Sequence, residues 1–330
     1  MEKERLLECT DLHTSFFMEG NREVKAVNGV SYYIDKGEVV AVVGESGCGK
    51  SVTQMSVMQL IKAPGKVLSG NVTFNGAPLM QDGKHVADMN KIRGNQIAMI
   101  FQEPMTSLNP VFTVGEQIVD IIRQHKKLSK REAWKLGESS LAAVGIPDAP
   151  ARMKNYPFEM SGGMRQRVLI AFAVALESEL IIADEPTTAL DVTVQAQVME
   201  LLMDIKRRNN SSIIVVTHNL GLVSRYADRI YVMYAGRIIE SGTKEQILTD
   251  PKHPYTKGLL AAVPKLENKK RDALVPIDGA PPSLVDLPDR CAFYPRCTFA
   301  DATCEKQGYP CLRPVGKNHY AACHLAAEEE

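Results

Sequence analysis

The chain has 330 residues, of which 45% are hydrophobic and 24% charged, and its 39 basic and 39 acidic side chains give no formal net charge. This composition is ordinary for a globular protein with one large domain, or one domain with an appendage. The absence of a basic excess gives no indication of nucleic-acid binding. No apolar run is long enough to span a bilayer, and the charged start of the chain does not continue into a signal sequence, so we expect a cytosolic protein.

The first strands of the chain lead into a glycine-rich loop. Residues 6–13 and 24–34 have the character of β-strands, and residues 39–43 form an apolar run typical of a buried parallel strand. The next residues, 44–51, read GESGCGKS and complete a G-x-x-x-x-G-K-S phosphate loop. A helix is predicted from Lys50 onward. This order of strand, loop and helix favours a true phosphate loop over a chance match in a turn.

The residue types of this loop suit a nucleotide phosphate. Glycines let the backbone curl so that its N–H groups point at phosphate oxygens, and the helix that follows adds its dipole. Lys50 is a point charge for the β- and γ-phosphates, and the hydroxyl of Ser51 can bind Mg²⁺. Cys48 contributes its backbone, so its thiol is incidental. The predicted ATP-binding residues of the loop are Gly44, Glu45, Ser46, Gly47, Cys48, Gly49, Lys50 and Ser51.

The middle of the chain alternates between sheet and helix patterns. Strands are predicted at residues 70–74 and 97–101, and a helical pattern over 114–144 indicates a helical subdomain of about residues 103–165. The parallel-sheet pattern resumes at 180–183, 212–217 and 229–234, with helices between the strands. Alternating strands and helices predict a doubly wound α/β core.

Two further motifs accompany the phosphate loop. The apolar strand at 180–183 ends in Asp184 and Glu185, which we interpret as a Mg²⁺ ligand and as the general base for an attacking water. Alone, this pair could equally be an apolar strand that happens to end in two acids. About twenty residues earlier, however, Ser161, Gly162 and Gly163 stand at a predicted helix start.

The combination of these motifs resembles the ATPase subunits of ATP-binding cassette (ABC) systems. The resemblance implies an ABC-type nucleotide-binding domain, an α/β fold in which a P-loop NTPase core carries an antiparallel β subdomain and a helical subdomain. It also implies a dimer in which Ser161, Gly162 and Gly163 reach the ATP bound by the second subunit. The common Leu-Ser-Gly-Gly-Gln is altered here to end in Met164, so any role of a glutamine side chain at that position is lost.

The same resemblance assigns four single residues. Gln102 would contact Mg²⁺ and water and begin the loop of residues 102–110 that faces a membrane partner. His218, at the end of a strand where α/β proteins bind ligands, would contact the γ-phosphate. Asp191 would lie in the loop that crosses between subunits. Phe17 would stack on adenine, although Phe16 is an alternative and a buried strand aromatic is an equal reading.

The composition changes near residue 250, after which ten prolines interrupt the chain. We therefore predict a nucleotide-binding domain at residues 1–250 and a small irregular C-terminal extension at 251–330. Five of the seven cysteines lie within 33 residues of this extension, at Cys291, Cys297, Cys304, Cys311 and Cys323. In a reducing compartment such a group favours a metal site over disulfides. A segment of this size usually needs a bound metal or disulfides to stabilise its fold.

The extension resembles the tail of ATPases from dipeptide, oligopeptide and nickel importers, including the sequences HPYT at 253–256 and YPRC at 294–297. The resemblance implies a [4Fe–4S] cluster held by Cys291, Cys297, Cys304 and Cys323, and four thiolates are a suitable ligand set. Zn²⁺ is the alternative, with His319 and His324 as further ligands, although the usual C-x₂₋₄-C pairs do not occur. Cys311 is a spare cysteine or a substitute for one of the four. Because the cluster is remote in sequence from the nucleotide motifs, we expect hydrolysis to persist without it.

The resemblance as a whole implies an ATP-hydrolysing motor subunit at the cytoplasmic face of the cell membrane, which drives uptake of dipeptides or oligopeptides. Its partners would be a second ATPase subunit, identical or similar, two transmembrane permease subunits and an extracytoplasmic peptide-binding protein. A nickel or oligosaccharide importer is the alternative within this branch. A soluble DNA-repair or chromosome ATPase is disfavoured because no heptad repeat lies between residues 51 and 161, and translation ATPases of this kind have two cassettes.

Overall fold

The computed structural model describes residues 4–20, 22–187, 191–262, 277–285 and 287–326. These residues form two compact units, the first from 35–38 and 88–216 and the second from 4–34, 39–87 and the residues after 216. Within the described part of the chain, no helix has both the length and the apolar composition to cross a membrane.

The elements are given in chain order. The strands are β1 (Arg5–Met18), β2 (Arg22–Asp35), β3 (Val39–Val43), β4 (Gly65–Phe74), β5 (Ala77–Gln81), β6 (Lys84–His85), β7 (Ile97–Ile100), β8 (Leu180–Asp184), β9 (Ser212–Thr217), β10 (Arg229–Tyr234), β11 (Arg237–Thr243), β12 (Arg313–Gly316) and β13 (His319–Ala321). The helices are α1 (Lys50–Val57), α2 (Met89–Ile92), α3 (Pro104–Ser107), α4 (Val114–His125), α5 (Lys130–Ala143), α6 (Ala149–Arg152), α7 (Gly162–Leu176), α8 (Val192–Asn209), α9 (Leu220–Tyr226), α10 (Lys244–Thr249), α11 (Pro254–Ala261) and α12 (Ala302–Lys306).

The first unit contains a parallel sheet of β7, β8 and β9. β8 is the middle strand, paired with β7 from Leu180 opposite Ile97 and with β9 from Leu180 opposite Ser212. All five residues of β8 are buried, which explains the continuous apolar run in its sequence. The carboxyl ends of parallel strands meet at one edge of a sheet, so this arrangement fixes where β8 presents the acidic pair.

The helical part of this unit differs from the prediction of one helical pattern over 114–144. α4 ends at His125, Lys126 is extended, and α5 begins at Lys130. Each helix starts with a capping box, Thr113 with Glu116 in α4 and Ser129 with Glu132 in α5. The second box satisfies the free N–H groups of a new helix, and the break lies in a polar stretch, residues 123–132, in which Leu128 is the only apolar residue.

The second unit contains an antiparallel sheet with the strand order β2-β1-β4-β5-β6, in agreement with the expected β subdomain. It also contains β3, which pairs in parallel with β10. β10 pairs antiparallel with β11, β11 with β13, and β13 with β12. The strands β5, β6 and β11–β13 are absent from the sequence-based prediction.

The C-terminal extension is less irregular than the proline count suggests. Its described residues include α11, α12 and the strand pair β12–β13. Pro254 occupies the first turn of α11, where its missing N–H costs nothing, and Pro314 lies in the outer strand β12, where proline is tolerated. Part of the extension also packs into a core, because the rings of Tyr255 and Phe293 lie 4.6 and 5.4 Å from that of Tyr234.

One buried carboxylate joins three separate segments of the second unit. Glu240 of β11 is 0% exposed. Its Oε1 lies 2.8 Å from Nε2 of His319 and accepts a hydrogen bond from the Lys252 N–H at 2.6 Å, while its Oε2 accepts one from the His253 N–H at 2.9 Å. His319 is therefore a partner of Glu240 through Nε2, and its assignment as an alternative zinc ligand stays a prediction.

Candidate active site

The phosphate loop follows β3 in the second unit and depends on its glycines. A Cβ atom added at Gly44 would lie 2.2 Å from the carbonyl oxygen of Met233, and one at Gly49 would lie 2.1 Å from that of Ala26. Gly49 also adopts φ 103° as the N-cap of α1, a conformation that favours glycine. Any side chain at either position would displace the loop backbone from its neighbours.

Lys50 begins α1 and points back into the loop. Only 4% of the residue is exposed, and its Nζ donates hydrogen bonds to the carbonyl oxygens of Gly44 at 2.8 Å and Glu45 at 2.9 Å. Burial raises the pKa of the Cys48 thiol even though Lys50 lies beside it, and the contribution of Cys48 through its backbone stays a prediction. Ser51 follows in the first turn of α1 and is half-buried.

The end of β8 brings two predicted residues of the first unit into contact. Asp184 is 4% exposed at the last position of the strand. Glu185 follows at φ 44°, in the left-handed region that few non-glycine residues adopt, and its N–H donates to the carbonyl oxygen of Val216 at 2.8 Å. Nε2 of Gln102 donates to Oε2 of Glu185 at 3.1 Å. The structure therefore joins the predicted base to the predicted water-contacting glutamine.

The predicted intersubunit residues of the first unit stand at two helix starts. Ser161 is the N-cap of α7, and its Oγ accepts a hydrogen bond from the Met164 N–H at 3.3 Å. Asp191 is the N-cap of α8, and its carboxylate accepts one from the Val194 N–H at 2.9 Å. A Cβ added at Gly163 would lie 3.3 Å from Val194, so the two helix starts are neighbours. Ser161, Gly162 and Asp191 are exposed, and their action on a second subunit stays a prediction.

Two predicted nucleotide contacts lie in the second unit. His218 is exposed directly after β9, and Asn219 caps α9 beside it. Phe17 is 42% exposed, with Nζ of Lys66 5.9 Å from its ring centroid. Phe16 is half-buried, and a Cβ at Gly65 would lie 2.7 Å from its ring. Phe17 is thus the more exposed of the two aromatic residues, and the roles of His218 and Phe17 stay predictions.

The predicted metal ligands lie in the C-terminal extension. Among the described residues, no three His, Cys, Asp or Glu side chains form a group that could hold a metal, so the cluster stays a prediction. Burial, with smaller contributions from the neighbouring thiols of Cys323 and Cys297, raises the pKa of Cys291 to about 11. Cys311 is exposed. His324, the other alternative zinc ligand, has its Nε2 3.0 Å from the carbonyl oxygen of Gly308.

Sequence reasoning missed two residues of the extension that contact the phosphate loop. The guanidinium of Arg296 binds both carboxylate oxygens of Glu45, with Nη1–Oε2 and Nη2–Oε1 distances of 2.7 and 3.0 Å. The hydroxyl of Tyr255 accepts a hydrogen bond from the Glu45 N–H at 2.8 Å. Arg296 directly precedes Cys297, so the cysteine region is remote from the nucleotide motifs in sequence but not in space. The available signals were the sequences HPYT and YPRC, which contain these two residues.

Comparisons with known proteins agree with this arrangement. A family model described as "ABC transporter" matches residues 27–188, and one described as "Oligopeptide/dipeptide transporter, C-terminal region" matches residues 239–304. A third model, "AAA domain, putative AbiEii toxin, Type IV TA system", matches residues 154–224 and overlaps the first.

Similar proteins cover almost the whole chain. The dipeptide transport ATP-binding protein DppD of Bacillus subtilis (strain 168) is 47% identical over 98% of this chain and 95% of its own length. The oligopeptide transport ATP-binding protein OppD of the same strain is 48% identical over 97% of this chain and 89% of its own length. Among solved structures, a dimeric post-hydrolysis state of the ATP-binding cassette MJ0796 bound to ADP and Pi superposes with a TM-score of 0.63 at 26% identity, covering 72% of this chain and 99% of that one.

Proposed function

The chain belongs to the ABC transporter ATP-binding proteins with an oligopeptide/dipeptide-type C-terminal region, and from this membership we propose that it is the ATP-hydrolysing motor subunit of an importer for dipeptides or oligopeptides. The contact between Gln102 and Glu185 carries the hydrolytic part of the proposal. The identity to two peptide transport ATP-binding proteins supports the transport part.

In this proposal the residues of β8 and the loop after β7 act on the attacking water. Glu185 would accept the proton of that water as the general base, and Gln102 would hold the carboxylate and orient the water. The left-handed backbone of Glu185 supports such a role, because strained residues cluster where geometry matters for chemistry. His218 would contact the γ-phosphate.

The remaining nucleotide contacts follow from residue chemistry. Lys50 and the backbone of the phosphate loop would hold the phosphates, and Phe17 would stack on adenine. Ser51, Asp184 and Gln102 offer oxygen ligands, which fit Mg²⁺. When bound, that ion neutralises charge on the phosphates. Asp184 is almost fully buried at the strand end, where its carboxylate would be one of these oxygen ligands.

We further propose that two ATPase subunits share their sites. The exposed start of α7 at Ser161, Gly162 and Gly163 would bind the ATP of the second subunit, since a helix start with free N–H groups attracts phosphate. Asp191, at the neighbouring start of α8, would meet the same subunit. The dimeric state of the similar MJ0796 cassette supports this arrangement.

An exposed apolar surface of the first unit fits a permease subunit at the cytoplasmic face of the membrane. Val111 is 71% exposed, Phe112 48% and Phe158 64%. Hydrogen bonds from the Val114 N–H to Asn155 O and from the Gly115 N–H to Met153 O, at 2.9 and 2.8 Å, hold the two segments side by side. Such a concentration of exposed apolar side chains is typical of an interaction site, and it extends the loop of residues 102–110 that the sequence assigned to the membrane partner.

We also propose that Cys291, Cys297, Cys304 and Cys323 hold a [4Fe–4S] cluster, with Zn²⁺ as the alternative. Four thiols are a ligand set that either metal accepts. Besides burial, which has the larger effect, Cys323 and Cys304 raise the pKa of Cys297, and Cys304 raises that of Cys323, which supports a common site for these thiols. The cluster would crosslink the extension.

Transport assays test this function directly. In a strain that lacks this chain, uptake of labelled di- and tripeptides through the peptide-binding protein should stop, and wild-type protein should restore it while Glu185→Gln should not. Nickel and an oligosaccharide serve as competing cargoes in the same cells. Restored uptake of either one without restored peptide uptake would assign the chain to the other importers of this branch.

A further inference from the structure

We propose that Arg296 is a positioning residue for the phosphate loop, through which the C-terminal extension sets the affinity for the nucleotide. The inference rests on the proposed ATPase function and adds to it a residue 251 positions away from the loop in sequence. It concerns residues of the second unit alone.

Arg296 is held firmly in place. Its side chain is 5% exposed. Besides Glu45, its Nε donates to the carbonyl oxygen of Asp278 at 2.9 Å, and its Nη2 to that of Ile277 at 3.3 Å. Its Nη1 also lies 3.4 Å from the Tyr234 hydroxyl. A planar guanidinium with this many fixed partners is pre-organised, so little freedom is lost in forming the pair with Glu45.

Glu45 is fixed by all three of its polar groups. Its N–H donates to the Tyr255 hydroxyl, its carbonyl oxygen accepts from Nζ of Lys50, and its carboxylate binds Arg296 through two parallel hydrogen bonds. Two of these three contacts come from the extension. Glu45 is the first variable residue of the phosphate loop, so the extension determines the path of the backbone that is proposed to cradle phosphate.

Tyr255 is itself fixed by packing. The residue is fully buried, at 0% exposure, and its ring lies 5.4 Å from that of Phe293 as well as 4.6 Å from that of Tyr234. Phe293 is three residues before Arg296. Both contacts to Glu45 therefore start from one packed aromatic cluster, and they act on the loop together.

The pair also has an electrostatic consequence. A carboxylate in a loop that binds polyphosphate would repel it, and a guanidinium paired with that carboxylate cancels the repulsion. The two-pronged geometry is specific to arginine, because lysine offers a point charge without the fork. Arg296 should therefore act on nucleotide binding both through charge and through the position of Glu45.

The test measures binding of MgATP and MgADP by the full-length chain, by calorimetry at 50 and 500 mM salt. Arg296→Gln leaves Glu45 uncompensated and should weaken binding about tenfold, a change of about 1.4 kcal/mol, with a larger loss at low salt because salt screens the repulsion. The double variant Glu45→Gln/Arg296→Gln removes both charges and should recover most of the affinity. Arg290→Gln, which removes a guanidinium that lies over Tyr294 in the same extension, is the matched control and should bind as the wild type.

Wild-type affinity for nucleotide in Arg296→Gln would overturn the inference. An equal loss in the single and double variants would exclude charge compensation and leave the position of Glu45 as the route by which Arg296 acts. Should Arg296→Gln fail to fold, Arg296→Lys replaces it, and unchanged affinity there would exclude a role for the fork. A wild-type chain that binds no nucleotide would refute the proposed function itself.

Discussion

Nε2 of Gln102 donates a hydrogen bond to Oε2 of Glu185 at 3.1 Å, although 83 residues separate them in sequence. The contact links the loop that leads toward the exposed apolar surface with the carboxylate proposed to activate water. A movement of that loop would therefore change the hydrogen bond to the Glu185 carboxylate. This contact would allow a membrane partner that moves the loop to affect hydrolysis.

The first prediction concerns the base. Glu185→Gln keeps the size and the hydrogen-bonding partner but removes the proton acceptor, so hydrolysis should fall at least about a hundredfold while ATP binding persists and an ATP-bound dimer accumulates. Phosphate release and size-exclusion chromatography measure the two effects. Glu179→Gln, at the exposed opposite end of β8, is the control and should hydrolyse normally. Near-wild-type hydrolysis by Glu185→Gln would refute the assignment.

The second prediction concerns sharing of sites between subunits. In a mixed dimer of Lys50→Ala and Ser161→Arg chains, both defects fall in one composite site and the other site is intact. Partial ATPase activity should therefore return on mixing, although each variant alone is inactive. Lys50→Ala mixed with Glu185→Gln is the control, because both residues would act on the ATP of their own subunit and no intact site can form. Absence of rescue at every mixing ratio would exclude homodimers with shared sites.

The third prediction concerns the metal of the extension. Protein purified without oxygen should be brown and contain about four irons per chain if the cluster is [4Fe–4S]. Cys297→Ser should lose the colour, whereas Cys311→Ser, at an exposed cysteine, should keep it. Because Arg296 precedes Cys297, nucleotide binding should also weaken in Cys297→Ser, contrary to the expectation from sequence distance. Stoichiometric zinc without iron, measured by elemental analysis, would contradict the cluster.

The fourth prediction concerns pH. Burial lowers the pKa of His253 from 6.5 to about 4, so between these values the unfolded chain binds a proton that the folded chain does not. The stability from this residue is present above pH 6.5 and is lost as pH falls toward 4, by roughly 3 kcal/mol. Chemical denaturation at pH 7 and pH 4.5 measures the loss, and His253→Asn should reduce it. His85→Asn, at an exposed position, should leave it unchanged; an equal pH dependence in all three proteins would contradict the prediction.

The sequence predicted the elements whose signal is local. The continuous apolar runs of β3, β8 and β9 predict buried parallel strands, and the residue spacing from Gly44 to Ser51 is sufficient to predict the phosphate loop. The break between α4 and α5 was not predicted, although the polar stretch of residues 123–132 and the capping box of Ser129 and Glu132 mark it in the sequence.

The contacts of the C-terminal extension could not be predicted in the same way. Pro314 obscured the outer strand β12, which pairs with β13, and the three-residue β13 has no apolar run of its own and is held by pairing with β11. The pair of Arg296 and Glu45 joins positions with no shared periodicity, and its energy comes from burial and geometry that arise only after folding. In the sequence, Arg296 is therefore visible only as a neighbour of the predicted metal ligand Cys297, and its contact with the phosphate loop is not.

The buried carboxylate of Glu240 limits where the C-terminal part of this protein can be exchanged with that of a relative. A chimera cut at residue 250 would take Glu240 from one parent and His319 from the other, and a mismatch at position 319 would remove the side-chain partner of this buried carboxylate while the backbone N–H donors of residues 252 and 253 remain. A cut before β11 transfers all of these groups together, and the C-terminal family model likewise begins at residue 239. The exchangeable module of this chain thus starts inside its sheet, several residues before the change in composition.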